Sequence, residues 1–139
     1  MINVKTSKAF QHDAEIQEGE SKTYLNSAYA GKHIIVDFWH VKHLQDVDII
    51  EKALTDAALI AGATLLHIHL HQFTQGGGVT GVALLAESHI SVHTWPERDY
   101  AAFDIFMCGD AQAEKALKLL EEVFQPRSKM VNEILRGSE

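Results

Sequence analysis

Residues 87–109 read ESHISVHTWPERDYAAFDIFMCG, and this stretch decides the fold. Segments 89–95 and 101–107 are rich in β-branched and aromatic side chains, and residues 96–99 between them carry turn chemistry. Strands joined this tightly leave no room for a parallel crossover, so they form an antiparallel pair. Side chains alternate along a strand, which puts His89, Ser91, His93 and Trp95 on one face. Asp104, Phe106 and Cys108 share a face of the next strand. The stretch thus carries a hydroxyl (Ser88), an imidazole (His93), a carboxylate (Glu97) and the only thiol of the chain (Cys108). The alternation suggests one pocket for His93 and Cys108, with the register left open by spacing alone.

Working outward, residues 79–86 form a strand that runs directly into the Glu87–Ser88 bond. The glycine run 76–78 separates it from a strand over 64–73, and residues 33–39 form a first buried strand. Asp46 is placed to cap a helix in which Val47, Ile50, Leu54, Ala57 and Ala61 step by three and four, with Gly62 as its stop. Downstream, Asp110 is placed to cap a second helix striped by Ala113, Leu117, Leu120 and Phe124 and ended by Pro126. Ser128 is then expected to open a short terminal helix with Val131, Ile134 and Leu135. Residues 1–30 are polar and aperiodic, a flexible or loosely docked leader before a single domain over 31–139. The expected fold is α+β, a two-layer α/β sandwich with a mainly antiparallel sheet and its helices on one face.

Composition narrows the function classes. The 139 residues suffice for one domain with a real core, and 46% hydrophobic with 22% charged residues is ordinary for a soluble protein. A formal net charge of −7 argues against nucleic acid, whose phosphates call for excess Lys and Arg. One cysteine excludes an intramolecular disulfide and fits a reducing compartment. The chain lacks an apolar run of membrane-spanning length and the apolar core of a signal peptide, so a cytoplasmic location and no membrane partner are expected.

The run AESHISVHTWPE, followed by YAA and MCG, closely resembles the short prokaryotic S-adenosylmethionine decarboxylases, which depend on a pyruvoyl group. The resemblance is dense over residues 78–110, looser over 31–124, and does not reach the first thirty residues. It implies that the chain makes its own cofactor: the Ser88 hydroxyl attacks the carbonyl of Glu87, the amide becomes an ester, and His93 removes the α-proton. Elimination and hydrolysis then leave a pyruvoyl group at position 88. An imidazole, with an ordinary pKa near 6.5, suits that proton transfer. The resemblance further implies that the substrate amine condenses with the ketone, that Cys108 returns a proton to the substrate carbon after carbon dioxide leaves, and that Glu97 binds the ribose hydroxyls. His89 matches the pattern without a chemical task. Phe73 is the candidate for stacking on adenine. Thr80 falls where the family carries a serine that assists processing, and its β-branch stiffens χ1. The loop over 73–81, FTQGGGVTG, lacks the family's proline and is one residue longer. The resemblance also implies a homodimer with active sites near its interface, no metal, and a product that serves as aminopropyl donor for spermidine-type polyamines.

Two other readings compete. Pyruvoyl relatives on this fold decarboxylate arginine or ornithine, and the altered loop lies in the substrate-contacting region; Glu97 argues against them, because a free amino acid has no ribose diol. His67, His69 and His71 alternate on one strand face, a common metal-ligand spacing, and would suit a non-catalytic histidine-rich metal-binding domain. No acidic or thiolate partner stands at ligand spacing beside them, so no metal is expected. The glycine run is followed by neither lysine nor a helix start, which makes it a poor phosphate loop.

Overall fold

The structure is a computed structural model that describes residues 2–6 and 29–138. Its strands are β1 (Ile2–Thr6), β2 (Gly31–Trp39), β3 (Leu65–Gln72), β4 (Val79–Leu85), β5 (Ser88–Trp95), β6 (Tyr100–Cys108) and β7 (Ser128–Arg136). Helix α1 (Val47–Ile60) lies between β2 and β3, and α2 (Ala113–Phe124) between β6 and β7. The strands form one sheet in the order β1-β7-β2-β6-β5-β4-β3. All its pairings are antiparallel except that of β1 with β7. Both helices pack on the same face, α1 over β3 and β4 and α2 over β6 and β2, and they touch each other. This is the expected two-layer α+β sandwich.

Alternation builds the core. Ile34, Val36 and Phe38 of β2, Ile90 and Val92 of β5, and Phe103, Ile105 and Met107 of β6 are buried beneath the helices. They meet Ile50, Leu54 and Ala57 of α1 and Ala116, Leu120 and Phe124 of α2. The other side of β2, β5 and β6 carries no helix, and its side chains are half-buried or exposed. That bare face bears every sequence-expected chemical group of β4, β5 and β6 other than Ser88, which opens β5 at its edge.

Helix α1 is capped as expected: the Asp46 carboxylate accepts from the Ile49 N–H at 3.1 Å, and Gly62 follows with φ +80°. Helix α2 is not capped by Asp110. It starts after Gln112, which makes no side-chain cap and is held extended outside the helix while its N–H donates to the Ala61 carbonyl at the end of α1. The expected terminal helix is also corrected, since residues 128–136 form β7. Strand β2 would otherwise present an open edge in the middle of the sheet, and β7 fills it along its whole length. Within the expected leader, residues 2–6 form β1 on the outer side of β7, and the remainder through residue 28 lies outside the described residues.

Candidate active site

The β5–β6 register pairs Trp95 with Tyr100, His93 with Ala102, Ser91 with Asp104 and His89 with Phe106. Residues pair across an antiparallel hairpin when they lie equally far from its turn. His93 is close to the turn and Cys108 is at the far end of β6, so the expected pocket shared by His93 and Cys108 does not form within one chain. Six strand positions separate Ala102 from Cys108, about 20 Å at ~3.4 Å per residue. The sequence-expected residues instead fall into two groups at opposite ends of the bare face.

The first group surrounds the Glu87–Ser88 bond. Strands β4 and β5 are joined through Ala86 and Glu87 alone, with Leu85 paired to Ser88. Glu87 takes a left-handed backbone with φ +58°, which costs a residue with a side chain about 1–2 kcal/mol. The Cys108 N–H donates to Ser88 Oγ at 3.3 Å, and Cys108 Sγ stands 3.6 Å from the same oxygen. The Cys108 thiol also donates to the Glu87 carbonyl at 2.9 Å. Serine, thiol and the carbonyl that precedes the serine therefore converge within hydrogen-bonding reach. A cavity of about 300 Å³ opens beside Cys108, with Tyr29, Lys32, Gln112 and Glu114 in its lining. Tyr29 and Lys32 lie at the margin of the recognisable motif, and sequence spacing carried no sign that they would come near the thiol.

The second group lies five positions further along β5, about 17 Å from Ser88. Here His93 Nδ1 and Thr80 Oγ1 are 3.0 Å apart, because β4 and β5 pair Thr80 with His93. The extra methyl of Thr80 does not prevent this contact. Buried Thr94 accepts from the Val79 N–H at 2.9 Å and donates to the Leu44 carbonyl at 2.8 Å, which fixes the start of β4 against β5. Gly78 is required there, since a Cβ would meet the Thr94 carbonyl at 2.5 Å. Phe73, 65% exposed, closes the glycine loop through its N–H to the Gly78 carbonyl and rests edge-on against His71. Glu97 is exposed on the short 3₁₀ turn Pro96–Arg98 that joins β5 to β6.

Between the two groups runs a polar cluster that the alternation placed but did not connect. His33 Nε2 lies 3.0 Å from Asp104, and Ser91 donates to the second Asp104 oxygen at 3.2 Å. His89 packs against His33 and Phe106, and burial, followed by the neighbouring His33, holds its pKa below the ordinary value. Its ring contacts are packing contacts within this face. His67, His69 and His71 are exposed on β3. Among the described residues no group of three or more His, Cys, Asp or Glu is disposed to hold a metal ion. No helix among them is long and apolar enough to cross a membrane.

Comparison with known proteins identifies the family. The family model described as S-adenosylmethionine decarboxylase matches residues 32–137. An S-adenosylmethionine decarboxylase proenzyme of Thermomicrobium roseum is 39% identical over 108 residues, covering 77% of this chain and 93% of that one. One from Methanococcus maripaludis is 46% identical over 110 residues, covering 77% and 89%. The crystal structure of the adenosylmethionine decarboxylase from Aquifex aeolicus superposes with a TM-score of 0.74 at 35% identity, covering 80% of this chain and 93% of that one. The Trypanosoma brucei AdoMetDC monomer shares the fold alone, at 15% identity and a TM-score of 0.54 over 44% of its length. The chain belongs to the S-adenosylmethionine decarboxylase family.

Proposed function

We propose that this protein is a self-processing decarboxylase of S-adenosylmethionine whose domain spans residues 31–139. The observation that carries the proposal is the convergence of Ser88 Oγ, Cys108 Sγ and the Glu87 carbonyl at an exposed two-residue turn. Ser88 attacks the Glu87 carbonyl carbon, and the amide nitrogen leaves as the ester forms. The Cys108 S–H bond to the carbonyl oxygen polarises it, and cleavage relieves the left-handed backbone at Glu87. His93 removes the Ser88 α-proton, the ester carboxylate of Glu87 departs, and hydrolysis of the remaining enamine releases ammonia and leaves a pyruvoyl group on residue 88. Serine, thiol and turn fit the precursor of that group, which would supply a ketone for the substrate amine and an adjacent amide carbonyl as electron sink when carbon dioxide leaves. Cys108 holds a proton at Sγ beside residue 88, where the product carbon needs one. The product would be the aminopropyl donor for spermidine-type polyamine synthesis.

His93 lies too far along β5 to reach Ser88 of its own chain, which supports a homodimer with shared sites. A second copy packed bare face on bare face, with β5 antiparallel to β5, brings its Thr80–His93 pair over Ser88 and Cys108. The midpoint of such a pairing falls near Ser91. The face suits burial: Ile35, Val82, Phe106 and Met130 are half-buried on it, and Leu84 and Ile134 are 47% and 36% exposed. Packed sheets stand about 10 Å apart, a span side chains from both copies fill.

Purified protein should separate on denaturing electrophoresis into fragments 1–87 and 88–139, the smaller blocked to Edman sequencing and reactive toward carbonyl reagents. The processed enzyme should release carbon dioxide from carboxyl-labelled S-adenosylmethionine at least tenfold more efficiently than from arginine or ornithine, a gap that about 1.4 kcal/mol provides. Release from arginine or ornithine alone would overturn the substrate assignment; the relatives favour neither that alternative nor a non-catalytic metal-binding role. Glu97 and Phe73 would serve as the ribose and adenine contacts. Both stand exposed at the His93 end, so the dimer proposed above is what carries them to residue 88. Glu97→Gln should raise KM about ten- to a hundredfold, since charge-assisted hydrogen bonds contribute roughly 1.5–3 kcal/mol, while cleavage proceeds as before. An unchanged KM would remove Glu97 from the ribose site.

A further inference from the structure

We propose that Asp37 and Tyr100 are positioning residues for self-processing, acting through Trp95 to hold the His93 imidazole in the attitude that removes the Ser88 α-proton. The inference rests on the role of His93 proposed above and extends it to a chain of contacts with no assigned task. The Tyr100 hydroxyl donates to Asp37 Oδ1 at 2.5 Å. Its ring is stacked between two indoles, Trp95 at 5.1 Å and 17° and Trp39 at 5.6 Å and 23°. Trp95 in turn lies 6.1 Å from His93, tilted by 35°. Thr80 holds the same imidazole through Nδ1. His93 is thus held at one nitrogen by a hydroxyl and beside its ring by an indole whose own orientation descends from a carboxylate two strands away.

The register explains why the contacts fall in line. Trp95, Tyr100 and Trp39 occupy one row across β5, β6 and β2, and His93, Ala102 and Asp37 occupy the next. Ala102 is too small to stand between, so the tyrosine can lean from its own row to the carboxylate in the other. Trp95 is 38% exposed, and an indole at that exposure keeps a fixed orientation only where stacking and a tethered neighbour supply it. Burial first, and then Asp37, push the Tyr100 phenol above its ordinary pKa, so it remains a donor throughout the working pH range. A hydroxyl-to-carboxylate bond is charge-assisted and short, the kind that fixes a ring rather than merely solvating it.

The test measures two steps separately in the full-length chain. Ester formation uses Ser88, Cys108 and the Glu87 carbonyl, which lie about 24 Å along β5 from the row of rings in the same chain, whereas elimination requires the His93 that the rings hold. Tyr100→Phe preserves the ring and removes only the anchor. It should form the ester at the normal rate, slow elimination roughly ten- to a hundredfold, and so accumulate chain that hydroxylamine cleaves at residue 88. Asp37→Ala should behave alike, and the double variant should be no slower than either single one, because both cut the same link. Asp37→Asn keeps an oxygen that accepts the phenol proton and should restore elimination to near normal. A loss of general stability would slow ester formation and elimination together and would not be rescued by Asn; that result, or normal elimination in Tyr100→Phe, overturns the proposal. His93→Ala serves as control. If it accumulates ester while Tyr100→Phe does not, the positioning role fails and the role of His93 stands. If it accumulates none, His93 is not the base and both fall.

Discussion

Coexpression of Ser88→Ala and His93→Ala chains is expected to produce pyruvoyl ends that neither chain makes alone. Ser88→Ala lacks the attacking hydroxyl and should remain a single uncut chain. His93→Ala should form the ester but stall before elimination, and slow hydrolysis of that ester would leave an ordinary serine terminus. In a mixed dimer, one of the two sites combines Ser88 and Cys108 of the His93→Ala chain with the intact His93 of the other. Random pairing makes half the dimers mixed, so about a quarter of wild-type sites should mature, because an isologous dimer carries two equivalent sites. Distinct tags identify the donor: the blocked, carbonyl-reactive fragment should come only from the His93→Ala chain. The geometric basis is the five strand positions between Ser88 and His93, a distance no imidazole spans. If only serine-terminated fragments appear, or if sedimentation shows the active enzyme to be a monomer, the shared site is wrong.

Cys108→Ala should lower turnover by about 10²–10⁴ per pyruvoyl end, the usual contribution of a positioned general acid. Its effect on maturation should be much smaller. The thiol donates one hydrogen bond to the Glu87 carbonyl, and losing one such bond costs about 0.5–1.5 kcal/mol, or roughly two- to thirteenfold in the rate of ester formation. The backbone N–H of Cys108 continues to hold Ser88 Oγ in the variant, since that contact does not need the side chain. Cleavage should therefore be delayed yet complete, while the processed enzyme stays nearly inert. Counting pyruvoyl ends with a carbonyl reagent and measuring carbon dioxide release on the same sample separates the two effects. Unchanged release per pyruvoyl end would exclude the thiol from the proton transfer.

The chemical groups and the local elements were readable because both are local properties of the chain. The turn at Pro96, the alternation on either side of it, and the three- and four-residue steps of α1 after Asp46 each depend on a few adjacent residues, and the structure follows them. So do the hydroxyl, imidazole, carboxylate and thiol of the motif. What the chain order did not disclose is pairing between distant segments. Residues 128–136 carry an apolar pattern too short to separate helix from strand, and the open edge of β2, some ninety positions earlier, drew them into the sheet. The Gln112 N–H found its partner at Ala61, so α2 began at Ala113, three residues beyond the available aspartate. The hairpin register decided the most consequential matter. Alternation puts His93 and Cys108 on the same face, but only matched distance from the turn says where along that face each lies, and it sends them to opposite ends. The same cross-strand geometry joined Asp37 to Tyr100 across 63 residues of sequence. Residue type and spacing named the participants; pairing in three dimensions determined which of them meet within the chain.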